Sequence, residues 1–335
     1  LLFRILSDLL GARGVTVGGP SLDPAGTMAV HGTEAHGHLN PSALRHNLVA
    51  SDAFVFGPGG LLQDETGIWN LPYHLRRIRA SRRAGLPWAG IGLGADGLTT
   101  NRGRSQVRRT LVGHTAIAVR DEASADALKA LGVERIVRTA DLAFLAEVPQ
   151  VSGDGVLGVC LRAPQSGRFR PGALDHAHRW PDGRADAMAT ALDETARATG
   201  LTVRFLAFDA RSDGVVHRQV AERMATAAEV VEPELDGLVA ALARVDAMAT
   251  MRYHGAVLAA LGGAGVVALP FSPKLRSIAD DLGPGATVLD EADTGLPAAV
   301  TSVLEHRHHL ADHVDRLRTL AGRNVEVLDE LLEAS

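Results

Sequence analysis

The sequence predicts an α/β protein of two doubly wound, Rossmann-like domains facing each other across a cleft. Three observations carry that prediction. Short apolar runs alternate with amphipathic helical patterns, which is how parallel sheets covered by helices on both faces read. The alternation lapses at EVPQVSGDG (residues 147–155), and a fresh apolar run follows. The 335 residues are enough for two hydrophobic cores.

Taken in order, LLFRIL at residues 1–6 has helix-like spacing from the start, so the chain is expected to begin inside a first helix, with a preceding strand and loop absent. Residues 15–17 are a short candidate strand. Residues 18–40, rich in Gly, Pro and His (His31, His36, His38), read as an irregular loop, either filler or a lid. Strand 53–56 runs into glycines. Helix 71–84, strands 88–93 and 116–119, helix 122–131 and strand 136–139 complete a first domain at residues 1–150. The second domain, residues 151–313, opens with the apolar strand 156–161. A long loop, 163–183, carries Arg168, Arg170, Arg179 and Trp180 among prolines and glycines; Trp180 either stacks on a sugar or anchors the loop. Helix 185–199, strand 202–208, helices 213–227 and 235–244, strand 245–250, helix 256–261, strand 265–269 and helix 273–282 follow, then a last helix at 314–332.

Composition excludes several classes of function. A formal charge of −5 and a pI near 6.3 argue against a general nucleic-acid binder. The single cysteine, Cys160, cannot form an internal disulfide, which fits a reducing compartment, and its apolar surroundings (GVLGVCL) make it a core thiol rather than a nucleophile. The longest apolar stretch, 255–271, contains Gly262, Gly263, Gly265 and Pro270 and divides into a helix and a strand rather than spanning a membrane. His309 and His313 could share a helical face, yet near the end of a surface helix they read as solvated, and no metal is assigned.

The most informative stretch is MRYHGAVL (251–258) followed by LPFSPK (269–274). A buried strand, a turn carrying Arg252 and His254, and a new helix place polar groups at a parallel sheet's edge, where open α/β folds bind ligands. Backbone N–H groups at the helix start favour an anion, and Arg252 adds a fixed charge with bidentate geometry. His254 can exchange a proton near neutral pH. Lys274 is one of two lysines, with Lys129, in a chain whose other 32 basic residues are arginine. Arg162 closes strand 156–161 and points to the same edge. Elsewhere, FVFGPGGLLQD (54–64) lets a ligand approach the backbone at Gly59 and Gly60, with Gln63 and Asp64 as a polar cluster, or else forms a tight turn. It has neither a Walker nor a dinucleotide spacing. Asp121, after strand 116–119, reads as a helix cap, and Asp141 is a further carboxylate at a strand end.

GPGGLLQD, VRDEAS (119–124) with TAD (139–141), VCLR (159–162), RYHGAVLAA (252–260) and PFSPK (270–274) occur in an order that resembles the polysaccharide pyruvyl transferases. Pro58 stands where that family usually has glycine. The resemblance implies a GT-B-like fold, with residues 314–335 crossing back to the first domain. It also implies transfer of a pyruvyl group from phosphoenolpyruvate, a co-substrate rather than a cofactor, to two hydroxyls of a sugar. The acceptor would belong to a cell-surface polysaccharide or its lipid-linked precursor. By the same carry-over the first domain is the acceptor side, through Gly59, Gly60, Gln63 and Asp64, and the second the donor side. Arg162, Arg252 and Lys274 would hold the donor and His254 would act as acid/base. The location implied is cytoplasmic, with peripheral contact at the inner membrane face where the acceptor is lipid-linked. Two other readings stay open: a GT-B glycosyltransferase using a nucleotide sugar, and a non-catalytic sugar- or anion-binding relative.

Overall fold

Two parallel sheets, one in each half of the chain, organise the molecule. The computed structural model describes residues 1–65, 67, 69–95, 97–112, 116–150, 153–162, 179–210, 212–269, 273–290 and 295–335. Its contacts divide the chain into two units, Leu1–Leu145 with Arg318–Ser335, and Ala146–Leu317.

The first unit runs α1 (Leu2–Gly11), β1 (Gly18–Ser21), α2 (Pro24–His31), β2 (Glu34–Gly37), α3 (Pro41–Val49), β3 (Phe54–Phe56), α4 (Asn70–Arg83), β4 (Trp88–Leu93), α5 (Asn101–Leu111), β5 (Ile117–Val119), α6 (Glu122–Lys129) and β6 (Ile136–Arg138). Strands β3, β4, β5 and β6 form a parallel sheet in that order, and β1 pairs with β2 in a separate parallel ribbon. All six residues of β4 are buried, as a strand covered on both faces requires. Alternate side chains go to opposite faces. Trp88, Leu93, Ile117 and Val119 pack with Leu71, Leu75 and Ile78 of α4, Val107 and Leu111 of α5 and Leu128 of α6. Ala89, Ile91 and Ala118 pack with Leu6 and Leu10 of α1 and with Val327, Leu328 and Leu331 near the chain's end. Asn324 pins that last segment. Fully buried, it accepts from Gly92 N (2.8 Å) and donates to Ala140 O (3.0 Å), so its amide replaces backbone partners at the sheet's edge.

The second unit runs β7 (Val156–Cys160), α7 (Asp182–Thr199), β8 (Thr202–Leu206), α8 (Asp213–Ala221), β9 (Ala228–Val231), α9 (Leu235–Leu242), β10 (Ala247–Thr250), α10 (Tyr253–Leu261), β11 (Gly265–Ala268), α11 (Pro273–Leu282), β12 (Ala286–Val288) and α12 (Leu296–His306). The last helix, α13 (Leu310–Glu333), contributes residues to both units. The sheet order is β9-β8-β7-β10-β11-β12, every pair parallel. β7, β10 and β11 are wholly buried. Leu157, Val159, Val203, Phe205 and Ala249 pack against Met188 and Leu192 of α7, Val216 and Val220 of α8, and Val300 and Val303 of α12. No described helix is long and apolar enough to cross a membrane.

The structure corrects the sequence reading of residues 15–40. Residues 15–17 are not a strand; the first strand starts at Gly18. What read as an irregular loop holds β1, α2 and β2. Asp23 caps α2 by accepting from Gly26 N (3.0 Å), Pro24 takes the first helical position, and left-handed Gly32 ends it. Strands β9 and β12 and helices α3, α5 and α12 are also additions. β9 and β12 span only four and three residues, and α3 and α5 bury few apolar side chains, so periodicity gives little signal in those four.

Candidate functional site

The order of the second sheet fixes where a ligand can sit. From β7 the chain winds outward through β8 to β9, then returns to lay β10 on the other side of β7. The direction of winding reverses between β7 and β10, and the carboxyl ends of those two strands flank the crevice in which open α/β sheets bind ligands. Arg162 lies two residues beyond β7 and Arg252 two residues beyond β10, with Cys160 and Thr250 in register.

Arg252 sits at the N-cap of α10 in an extended conformation. Thr250 shapes the turn: its hydroxyl accepts from Arg252 N (2.9 Å) and donates to Arg252 O (3.1 Å). A side chain at Gly255 would collide with that hydroxyl, which accounts for the glycine two residues after Tyr253. No side chain caps α10 and its first turn holds no acid, so its N-terminal N–H groups keep their affinity for an anion.

The guanidinium of Arg252 is fixed by a residue that the sequence places only at a helix start. Asp213, at the first position of α8, is completely buried and pairs with Arg252 in a fork: Nε to Oδ2 at 3.1 Å and Nη2 to Oδ1 at 2.5 Å. Nη2 also donates to Ser212 Oγ (3.2 Å). Asp213 further accepts from Phe208 N (3.1 Å) and Asp209 N (3.0 Å), so a strand-end loop, a helix start and Arg252 are knotted together. Burial opposes the charge of Arg252, but hydrogen bonding and attraction from Asp213 outweigh it and raise its pKa. Nε and Nη2 are thus committed within the fold, and Nη1 is the remaining nitrogen of the fork. An arginine at a buried sheet edge needs a counter-charge, and FDARSD (208–213) after β8 offers two carboxylates, but β8 lies two strands from β10 and the sequence does not give that order.

Arg162 is half-buried in the same environment. Burial and then repulsion from Arg252 lower its pKa, against the pull of Asp213 and Asp209. Two partly desolvated cations that repel one another gain from an anion placed beside both. Beneath them lies His217, one turn along α8 from Asp213 and fully buried, with Nε2 3.0 Å from Leu161 N. Burial drops its pKa to about 4, so the ring is neutral at physiological pH. Cys160 is equally buried; burial, then the charge of Asp213, push its thiol up, in keeping with a core role.

His254 occupies the first turn of α10, half-buried with Nε2 inside, its ring edge-on to Tyr253 at 5.5 Å. Lys274 is in the first turn of α11, after β11, the strand beside β10. Arg162, Arg252, His254 and Lys274 thus follow three adjacent strands at their carboxyl ends. Pro270, Phe271 and Ser272 lie outside the described residues, as do Arg168 and Arg170. Trp180 takes the anchoring alternative: it is 2% exposed, its Nε1 donates to Arg162 O (3.0 Å), and Gln219 bonds both its backbone N and O at 2.8 Å. The anchor reaches the site itself, since the carbonyl it holds is that of Arg162.

In the first unit, the glycine loop follows β3 at the carboxyl edge of its sheet. Gly57 has φ 121°, and a Cβ there would strike Ile91 O. Gly59 extends the sheet by pairing with Leu93, accepting from Gly94 N (3.0 Å) and donating to Gly92 O (3.1 Å). Gly60 follows in the turn, and Gln63 is buried. Asp64 serves as a brace: it accepts from Thr99 N (2.9 Å), Thr99 Oγ1 (2.7 Å), Thr100 N (3.2 Å) and Thr100 Oγ1. Burial would raise its pKa, but those hydrogen bonds prevail and lower it. Asp121 caps α6 through Ser124 N (2.7 Å), and Asp141 pairs with Arg120 at 3.0 Å in the interior.

The sequence profile of the polysaccharide pyruvyl transferases matches residues 4–273. The chain belongs to that family. Arg162, Arg252 and His254 fall inside the match, and Lys274 lies one residue beyond it. No curated protein matches the chain in sequence. Among solved structures, a UDP-glucose:anthocyanidin 3-O-glucosyltransferase in complex with UDP aligns with 100% of this chain and 96% of its own at TM-score 0.60 and 11% identity. HepE of Anabaena in complex with UDP-glucose aligns over 98% and 94% at TM-score 0.59 and 14% identity. The UDP-GlcNAc 2-epimerase of Neisseria meningitidis bound to UDP-GlcNAc aligns over 100% and 96% at TM-score 0.62 and 10% identity. At such identities the likeness establishes the fold, that of the GT-B glycosyltransferases with two Rossmann-like domains.

Proposed function

We propose that this pyruvyl transferase family member uses phosphoenolpyruvate as donor and forms a pyruvate ketal on two hydroxyls of a saccharide. The observation that carries the reading is the pair of mutually repelling arginines, Arg162 and Arg252, at the two strand ends flanking the winding reversal. A small ligand with a phosphate and a carboxylate matches that pair and the uncapped start of α10.

The residues have separable tasks. Arg252, with its fork locked by Asp213, would present Nη1 to one anionic group of the donor, and Arg162 would meet the other, with Lys274 adding charge. Protonation of the donor's methylene carbon makes its central carbon electrophilic, and one sugar hydroxyl adds there. The carbon–oxygen bond to phosphate then breaks, and the second hydroxyl closes the ketal. One hydroxyl proton ends on the new methyl group and the other on phosphate, so the ledger of atoms closes. His254 is the group we assign to proton transfer, a task in which a positioned histidine contributes roughly 10²- to 10⁴-fold. The arginines would stabilise departing phosphate electrostatically. Acceptor contacts are assigned to Gly59, Gly60 and Gln63, with Asp64 bracing their loop. A lipid-linked acceptor would bring the protein to the inner face of a membrane from the cytoplasm.

The test is phosphate release from phosphoenolpyruvate in the presence of saccharide fractions from the cell envelope, with the product's mass determined. Release that depends on the saccharide, accompanied by a pyruvate ketal and reduced at least a hundredfold in His254→Ala with donor binding retained, is expected. Undiminished turnover in that variant would remove His254 from the chemistry. Sugar transfer from a nucleotide donor to the same fractions would replace the reading altogether.

A further inference from the structure

Helices α4 and α5 carry nine arginines and no aspartate, glutamate or lysine, in a chain whose net charge is −5. They lie side by side and run in the same direction. Gly103 at the start of α5 faces Leu71 at the start of α4, while Thr110 near the end of α5 accepts from Arg79 (2.9 Å) and Arg82 (3.2 Å, through its carbonyl) near the end of α4. Seven of the nine are exposed: Arg76, Arg82 and Arg83 on α4, and Arg102, Arg104, Arg108 and Arg109 on α5. Among the described residues none of the nine is paired with a carboxylate. Asp64, which meets Gly103 at the start of α5, is held by Thr99 and Thr100 instead.

Helix stabilisation accounts for part of this charge only. Arg82, Arg83, Arg108 and Arg109 sit in last turns, where cations complement the macrodipole. Arg102 and Arg104 sit at the beginning of α5, where the same dipole disfavours them, and Arg76 is mid-helix. Maintaining them without one interspersed acid opposes the fold's own electrostatics and calls for an anionic partner. The partner's shape follows from the surroundings. The face is a helix pair about 20 Å long rather than a groove. Its ends carry exposed apolar residues, Trp69 (70% exposed) before α4 and Val112 (38%) after α5. Arginines flanked by an exposed Trp suit the headgroup zone of a bilayer, where phosphates meet the guanidinium groups and an indole rests at the interface.

We propose that the α4–α5 face seats the protein on a bilayer containing anionic lipids, with Trp69 in the headgroup region. The surface belongs to the first unit and the arginines at the carboxyl ends of β7 and β10 to the second, so the proposal is independent of the donor's identity. The experiment is co-sedimentation of the full chain with phosphatidylcholine vesicles, with and without phosphatidylglycerol. Binding to the anionic vesicles alone, weakening as salt is added, is expected. Each arginine near an anionic surface is worth roughly fivefold in partitioning, so Arg76→Gln, Arg83→Gln and Arg108→Gln together should lower it on the order of 100-fold. The same loss of charge on the second unit, at Arg197, Arg218 and Arg244, should leave it within a few-fold of the parent. Trp88 and Trp180 are 3% and 2% exposed, so a blue shift of tryptophan emission on vesicle addition reports Trp69 and should vanish in Trp69→Phe. Equal binding to neutral vesicles, an undiminished triple variant, or tighter binding to short duplex DNA than to the vesicles would overturn the proposal; the last would mark a nucleic-acid surface.

Discussion

Replacing Arg252 with alanine should damage the protein twice, and the two effects can be separated. The substitution removes the proposed donor contact and also leaves Asp213, with no exposed surface, holding an unpaired charge. Breaking a buried ion pair from one side costs about 3 to 5 kcal/mol. The lower end applies here, because Asp213 keeps the amides of Phe208 and Asp209 and the Arg252 side chain is 23% exposed. A loss of about 3 kcal/mol, at a urea m-value of about 1–3 kcal/mol per molar, moves the unfolding midpoint of the second unit by on the order of 1 M. Adding Asp213→Asn removes the stranded charge while keeping an oxygen for the two amides. The double variant should therefore regain at least half of the lost stability and none of the donor affinity. Urea unfolding and calorimetric titration with phosphoenolpyruvate read the two effects. A double variant as unstable as Arg252→Ala, or one that binds the donor like the parent, would refute the reasoning.

Three further outcomes follow from the same geometry. His217 is held neutral with its pKa near 4, so below pH 6.5 the unfolded chain binds a proton that the folded one refuses. Stability should fall on the order of 3 kcal/mol through this ring as pH drops from 6.5 to 4, and His217→Gln should flatten that part of the stability–pH curve, measured by urea midpoints. Asp64→Ala should lose about 2 kcal/mol through its hydrogen bonds to Thr99 and Thr100, with donor affinity unchanged by titration. Cys160 should resist iodoacetamide in the folded protein and react stoichiometrically in denaturant, followed by mass; rapid native labelling would contradict its burial.

What the sequence reveals and what it hides divide along physical lines. Strands such as Trp88–Leu93 and Ala247–Thr250 are legible because a parallel sheet covered on both faces demands uninterrupted apolar runs. Arg162, Arg252 and His254 are legible because each follows such a run directly. Helices α4 and α5 illustrate the reverse. The apolar stripe of α4 shows through its arginines, while in α5 only Val107 and Leu111 are apolar and buried, and the helix escapes periodicity. Residues 18–40 mislead because glycines and histidines suggest a loop, although Asp23, Pro24 and Gly32 delimit a helix within them. Asp213 was hidden for another reason. Its partner is 39 residues away, and only the return of the chain to β10 beside β7 brings the two together.

The most direct measurement of the central claim is calorimetric titration of the full chain with phosphoenolpyruvate, UDP and a UDP-sugar, because it requires no acceptor. The account predicts binding of phosphoenolpyruvate alone, abolished in the Arg252→Ala, Asp213→Asn variant, whose fold is preserved. Binding of UDP or the UDP-sugar in preference to phosphoenolpyruvate would contradict it and make the paired arginines a diphosphate site.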